Sequence, residues 1–254
     1  MTSLVPSNSS KSFMGEAMET YYQTLKTEAG SAAVEYLKSR ALSGASGQSF
    51  RLGYVANPLP GHEQYTGMLC VPYITRSGVV TLRFRALPDP NPEHDPSDPE
   101  SAEYLPIMGP KYKSVPGEMP RLYNTPDLDR REPFVCITEG EFDAMIAHQA
   151  GLPAVAIPGV NGWSDWWGRC FKGYEAVYIL SDNDPLKKKV NCRPCADEGL
   201  QECKGHNVGA ESAEKLAAKI TNARVVMMPP GHDVNSFVKA EGPDALVAKI
   251  GVKL

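Results

Sequence analysis

The chain has 254 residues, 42% of them hydrophobic and 22% charged, with a formal net charge of −4. This is the composition of an ordinary globular protein with room for two modest domains, and no apolar run approaches the ~18–20 residues of a membrane span. The acidic balance argues against a surface coated in positive charge, although a local basic groove beside an acidic site would cancel in the sum.

The first residues, Met1 to Ser10, lack the basic and apolar regions of a secretory signal. Residues 1–14 are expected to be a disordered lead-in, and the protein to be cytoplasmic. From Ser12 to Arg40 apolar residues recur at helical spacing (Met18, Tyr21, Tyr22 and Leu25, then Ala33, Tyr36 and Leu37), with Gly30 dividing two helices. Gly67–Tyr73 and Val79–Ala86 are expected to form a hairpin turning at Arg76-Ser77-Gly78. Residues Pro88 to Pro99 form an acidic, proline-rich loop.

After Arg131 strands and helices alternate. Strands are expected at Phe134–Thr138, Ala154–Ile157, Ala176–Leu180 and Arg224–Met228. Helices are expected at Phe142–Ala150, near Ser164–Phe171, at Ala210–Ile220 and from Val234 onward, with His148 exposed. Such alternation gives an α/β fold with a parallel sheet and flanking helices, here preceded by a smaller α+β lobe. The division is placed at 15–128 for the first lobe and 131–254 for the second.

Ligands of parallel sheets bind beyond the carboxyl ends of the strands. Glu139, Pro158-Gly159, Asp182 and Asp233 all follow strand ends. Asp143 lies one helical turn beyond Glu139, and Asp182 and Asp184 alternate along an extended segment. Glu139 and Asp143 alone would also suit a helix N-terminus, and Asp182-Asn183-Asp184-Pro185 a turn. Four strand ends directed to one rim favour a different reading, in which carboxylates converge on one or two Mg²⁺ or Mn²⁺ ions and a phosphate substrate.

The segment Thr138-Glu139-Gly140-Glu141-Phe142-Asp143-Ala144, with Asp182-Asn183-Asp184, resembles the Toprim domain of primases, topoisomerases and some nucleases. The resemblance extends to DnaG-type primase cores through Ala33–Ser43, Phe50–Tyr54, Val79–Leu87, Pro110–Ser114 and Pro230–Phe237. A compact phage-encoded primase matches best. It implies a Toprim-type sheet and template-directed joining of NTPs on single-stranded DNA. Glu139, Asp182 and Asp184 would be catalytic, and Asp143 and Asp233 would complete the metal-organising acids. Arg83, Arg85, Lys111 and Lys113 would belong to a basic groove, and a separate replicative helicase would be the partner. A Toprim nuclease and a non-catalytic DNA-binding Toprim protein are the alternatives. Asn235 stands where many primases have a second acid, and no zinc ribbon precedes the core.

Within the insertion at 185–207, Cys192, Cys195, Cys203 and His206 have the types and pairing of a Zn²⁺ site, flanked by Lys187-Lys188-Lys189 and Lys204. This knuckle is expected to contact template in place of the ribbon; a loop with incidental thiols or a redox Cys-x-x-Cys pair would share the pattern. Cys70 and Cys136 lie in apolar runs and are expected in the core. Trp166 and Trp167 are expected as core and lid of a short helix rather than as a base-stacking platform. The sequence carries no Gly-x4-Gly-Lys-Ser/Thr phosphate loop, which excludes a fused helicase motor.

Overall fold

A computed structural model describes residues 6–95, 97–98, 102–159, 162–186, 188, 195, 197, 200 and 202–253. The chain divides into two compact units, Met1–Met119 and Pro120–Leu254.

The first unit opens with α1 (Asn8–Leu25), capped by the Ser7 side chain, which accepts from the Ser10 amide. The expected lead-in is therefore helical from residue 8, because Met14 and Ala17 are buried against the unit's core. The second expected helix, α2 (Ser31–Ser39), does begin after Gly30, where any Cβ would overlap the Leu25 backbone. A short helix, α3 (Gly44–Ser49), leads to a four-stranded antiparallel sheet of β1 (Gly53–Tyr54), β2 (Leu69–Thr75), β3 (Gly78–Arg85) and β4 (Tyr112–Ser114), ordered 1-2-3-4. The β2–β3 hairpin is the expected one. On its covered face Tyr65 stacks on Phe84 at 3.8 Å, with Tyr21 and His62 packed edge-on around them.

The second unit is a parallel sheet of β5 (Phe134–Thr138), β6 (Ala154–Ala156), β7 (Ala176–Ser181) and β8 (Ala223–Met227), in the order 6-5-7-8. Strands β5, β6 and β7 are buried throughout, as continuous apolar runs in a parallel sheet require. Among the described residues its helices include α4 (Glu141–Gln149), α5 (Val208–Ala217), α6 (Val234–Glu241) and α7 (Pro243–Ile250). The expected single C-terminal helix is two, because Gly242 takes a positive φ of 86° and Pro243 cannot continue the first. Asp165–Phe171 is a 3₁₀ segment that buries Trp167 and leaves Trp166 exposed.

Residues 120–130 belong with this second unit rather than with the first. Tyr123 bridges to Ala156, and Asp127 accepts the Ala154 amide at 2.9 Å while Asn124 Nδ2 donates to the Ala154 carbonyl. These bonds cover the free edge of β6, which would otherwise expose unpaired amides. Asp127 also holds His148 Nδ1 at 2.8 Å, so His148 is half-buried and paired rather than exposed.

Candidate active site

The strand order creates a switch point. From β5 the chain steps to β6 on one side, then crosses back to β7 on the other, so the crossovers diverge at the carboxyl ends of β5 and β7. Ligands of open α/β sheets settle in that crevice. Glu139 follows β5 directly and Asp182 follows β7 directly.

Glu139 is a strongly perturbed acid on this rim. Burial first, then the charges of Asp143 and Asp184, push its carboxyl up from 4.5 to about 7. Its Oε1 is buried and has no hydrogen-bond partner among the described residues. Gly209, in the first turn of α5, faces the same place. A Cβ there would stand 3.3 Å from Glu139 Oε1 and 2.8 Å from the Asp182 carbonyl oxygen. A glycine is needed for the helix to approach the rim this closely.

The remaining acids differ in freedom. Asp143 is buried, and its Oδ1 accepts the Asn235 amide at 3.1 Å, in the first turn of α6. Asp233 is the N-cap of α6: its Oδ1 accepts the Ser236 amide at 2.6 Å within a reciprocal capping box. Asp184 is exposed and Asp182 half-buried. No three of these acids bring oxygens within 4.8 Å of one another among the described residues. The rim is an open one, with oxygen donors only, and it fits a hard cation that keeps several waters and takes further oxygens from a phosphate.

Asn183, between the two aspartates, is a structural pin. It donates from Nδ2 to the Met228 carbonyl, exchanges backbone bonds with His232 and Gly231, and accepts from Asn207 Nδ2 at 2.8 Å. Asn207 in turn caps α5 by accepting the Ala210 amide. Neither Gly209 nor the Asn183–Asn207 pair was legible as part of the site, because both depend on which helix folds back over β7.

The four basic residues do not share a face. Arg83 and Arg85 alternate on β3, and Arg85 pairs with Tyr112 across the sheet. Arg85 is buried, donating to the Tyr36 and Tyr112 hydroxyls, and Arg83 lies over the Tyr112 ring at 4.5 Å. Lys113 pairs with Phe84 and so projects on the opposite face, where its ammonium donates to the Gln64 carbonyl. Lys111 is exposed. In the insertion, Cys195, Cys203 and His206 converge, whereas Cys192, Lys187 and Lys189 lie outside the described residues.

The Toprim domain family matches residues 134–244. The chain is 35% identical over 191 residues to the Gene 57 protein of Mycobacterium phage D29, covering 73% of this chain and 99% of that protein. It is 26% identical over 267 residues to a DNA primase of Pseudomonas putida, covering 92% of this chain but only 37% of that protein's length. Among solved structures, the RNA polymerase domain of Mycobacterium tuberculosis primase DnaG superposes with a TM-score of 0.68. The match covers 96% of this chain and 83% of that one at 17% identity, so the likeness is one of fold.

Proposed function

We propose that this chain, which belongs to the family of DnaG-type primase cores carrying a Toprim domain, joins ribonucleotides into short RNA primers on a single-stranded DNA template. The observation that carries the reading is the acid rim at the β5/β7 switch point, with Glu139 Oε1 buried, without a hydrogen-bond partner among the described residues and backed by Gly209. A buried carboxylate oxygen left without a donor is costly unless something supplies one.

In the reaction a primer 3′-hydroxyl attacks the α-phosphorus of an incoming NTP, the new P–O bond forms, and pyrophosphate leaves. Two divalent cations, when bound, lower the pKa of the attacking hydroxyl and neutralise charge on the leaving group. Glu139, Asp182 and Asp184 would hold them. Asp143 and Asp233 each commit an oxygen to the N-terminus of α6, so they act by positioning that helix against the rim. Lys111 and Lys113 are suited to template or nucleotide phosphates, while Arg85 organises the sheet through its two tyrosines. Single-stranded DNA and NTPs are the proposed ligands and a separate replicative helicase the proposed partner. The relative from phage D29 favours a phage-encoded protein working in a bacterial cytoplasm.

The test is primer synthesis from labelled NTPs on single-stranded DNA with Mg²⁺ or Mn²⁺, comparing wild type with Asp182→Ala. Template-dependent oligoribonucleotides that vanish in the variant support the reading. Degraded template without new RNA would replace it with a nuclease.

A further inference from the structure

Outside the acid rim, the described residues bring together one other set of ligand atoms. Cys195 Sγ lies 3.9 Å from Cys203 Sγ and 3.4 Å from His206 Nε2, and all three ligand atoms fall within 4.8 Å of one another. These separations are informative. An ion bound tetrahedrally at about 2.3 Å from sulfur and 2.0–2.1 Å from nitrogen spaces two thiolates about 3.8 Å apart, and a thiolate and imidazole about 3.5 Å apart. The sulfurs are far beyond the ~2.05 Å of a disulfide.

His206 is oriented for this role. Its Nδ1 lies 2.6 Å from Glu211 Oε1 on α5, so the Nδ1–H donates to the carboxylate and Nε2 turns its lone pair toward the thiols. A carboxylate behind a histidine fixes its tautomer and raises its basicity at metal sites. Two sulfurs and an imidazole select a soft or borderline ion, unlike the oxygen-only rim. Cys195 and His206 are both buried, as a structural ion's ligands are.

We propose that Cys195, Cys203 and His206, backed by Glu211, supply three ligands of a structural Zn²⁺ site that fastens the insertion to the first turn of α5. The site adjoins the acid rim along the chain. His206 precedes Asn207, which caps α5 and holds Asn183, and Gly209 follows two residues later against Glu139. Zinc therefore holds the helix end that forms one wall of the rim.

The site is tested without any activity measurement, so its failure is distinguishable from failure of the primase reading. Protein purified without a metal-affinity step is analysed for zinc and titrated with a chromophoric chelator. The expected result is about one equivalent of zinc, lost in Cys203→Ser and held about 10–100-fold more weakly in Glu211→Gln. Cobalt substitution of the wild type gives the intense near-ultraviolet thiolate band, absent in Cys203→Ser. Far-ultraviolet circular dichroism confirms that the half-buried Cys203 variant is folded. Zinc far below one equivalent in the native protein overturns the site, as does stoichiometry unchanged by Cys203→Ser. Unaltered affinity in Glu211→Gln overturns the role given to that carboxylate.

Discussion

Glu139→Gln should stabilise the metal-free protein while destroying its response to metal. In the folded chain the Glu139 carboxyl sits at about 7, against 4.5 ordinarily, because burial and the neighbouring Asp143 and Asp184 charges oppose ionisation. A folded pKa raised above the unfolded one makes a contribution that is fully present below about 4.5 and is lost as pH rises through about 7. At about 1.4 kcal/mol per pH unit, the ionised carboxylate costs the metal-free fold roughly 3 kcal/mol at pH 8. Glutamine carries no charge at either end of the window. The variant should therefore be more stable than wild type by about 3 kcal/mol at pH 8 and by less than about 1 kcal/mol at pH 5. Urea unfolding in EDTA, followed by tryptophan fluorescence, measures this in the right place, since Trp163, Trp166 and Trp167 all lie in the second unit. Saturating Mg²⁺ should then raise the wild-type midpoint and leave the variant's unchanged. Parallel stability-versus-pH curves for the two proteins would refute the buried, repelled carboxylate on which the active-site assignment stands.

Gly209→Ala would raise helix propensity by ~1 kcal/mol elsewhere, but here its Cβ meets the Asp182 carbonyl oxygen at 2.8 Å. It should cost about 1–3 kcal/mol in the same unfolding assay and weaken Mn²⁺ binding by roughly tenfold or more by calorimetry. Asp143→Ala removes the acceptor of the buried Asn235 amide and should destabilise the second unit by about 1–3 kcal/mol, whereas Asp143→Asn, which keeps an acceptor oxygen, should lose less. Arg85→Met should destabilise the first unit, read by near-ultraviolet tyrosine dichroism, because it removes the guanidinium that donates to the Tyr36 and Tyr112 hydroxyls. Lys111→Ala should leave stability unchanged, weaken single-stranded DNA binding and reduce the salt slope by about 0.7.

The parts of the fold readable from sequence are those fixed by local pattern. Phe134–Thr138 is strand at both predicted limits, because an apolar run closing on Glu139-Gly140 has no helical alternative of that length. Gly30 and the Arg76–Gly78 turn likewise act through their own backbone. Arg85 shows the limit. Alternation along β3 puts Arg83 and Arg85 on one face, but Tyr36, 49 residues upstream, and Tyr112 on β4 decide that Arg85 is covered rather than offered to a phosphate. The same holds for Asp127, an acid with no motif around it, which is buried because the β6 edge needs a cap.

The five acids fall into two tiers for the same reason. Sequence spacing brings all of them to one rim as metal-organising acids, and the resemblance alone sets Glu139, Asp182 and Asp184 apart as catalytic. The structure separates them by what else each must do. Asp143 and Asp233 accept from consecutive amides in the first turn of α6, where unpaired amides and the helix dipole already favour negative charge. Glu139, Asp182 and Asp184 lie outside these two bonds, and Glu139 Oε1 is buried with no hydrogen-bond partner among the described residues. The expected ordering follows. Substituting Asp143 or Asp233 should lower stability and metal affinity together, because the helix loosens. Substituting Glu139 should separate the two, raising one while abolishing the other, and only a residue whose charge is held for a ligand behaves in that way.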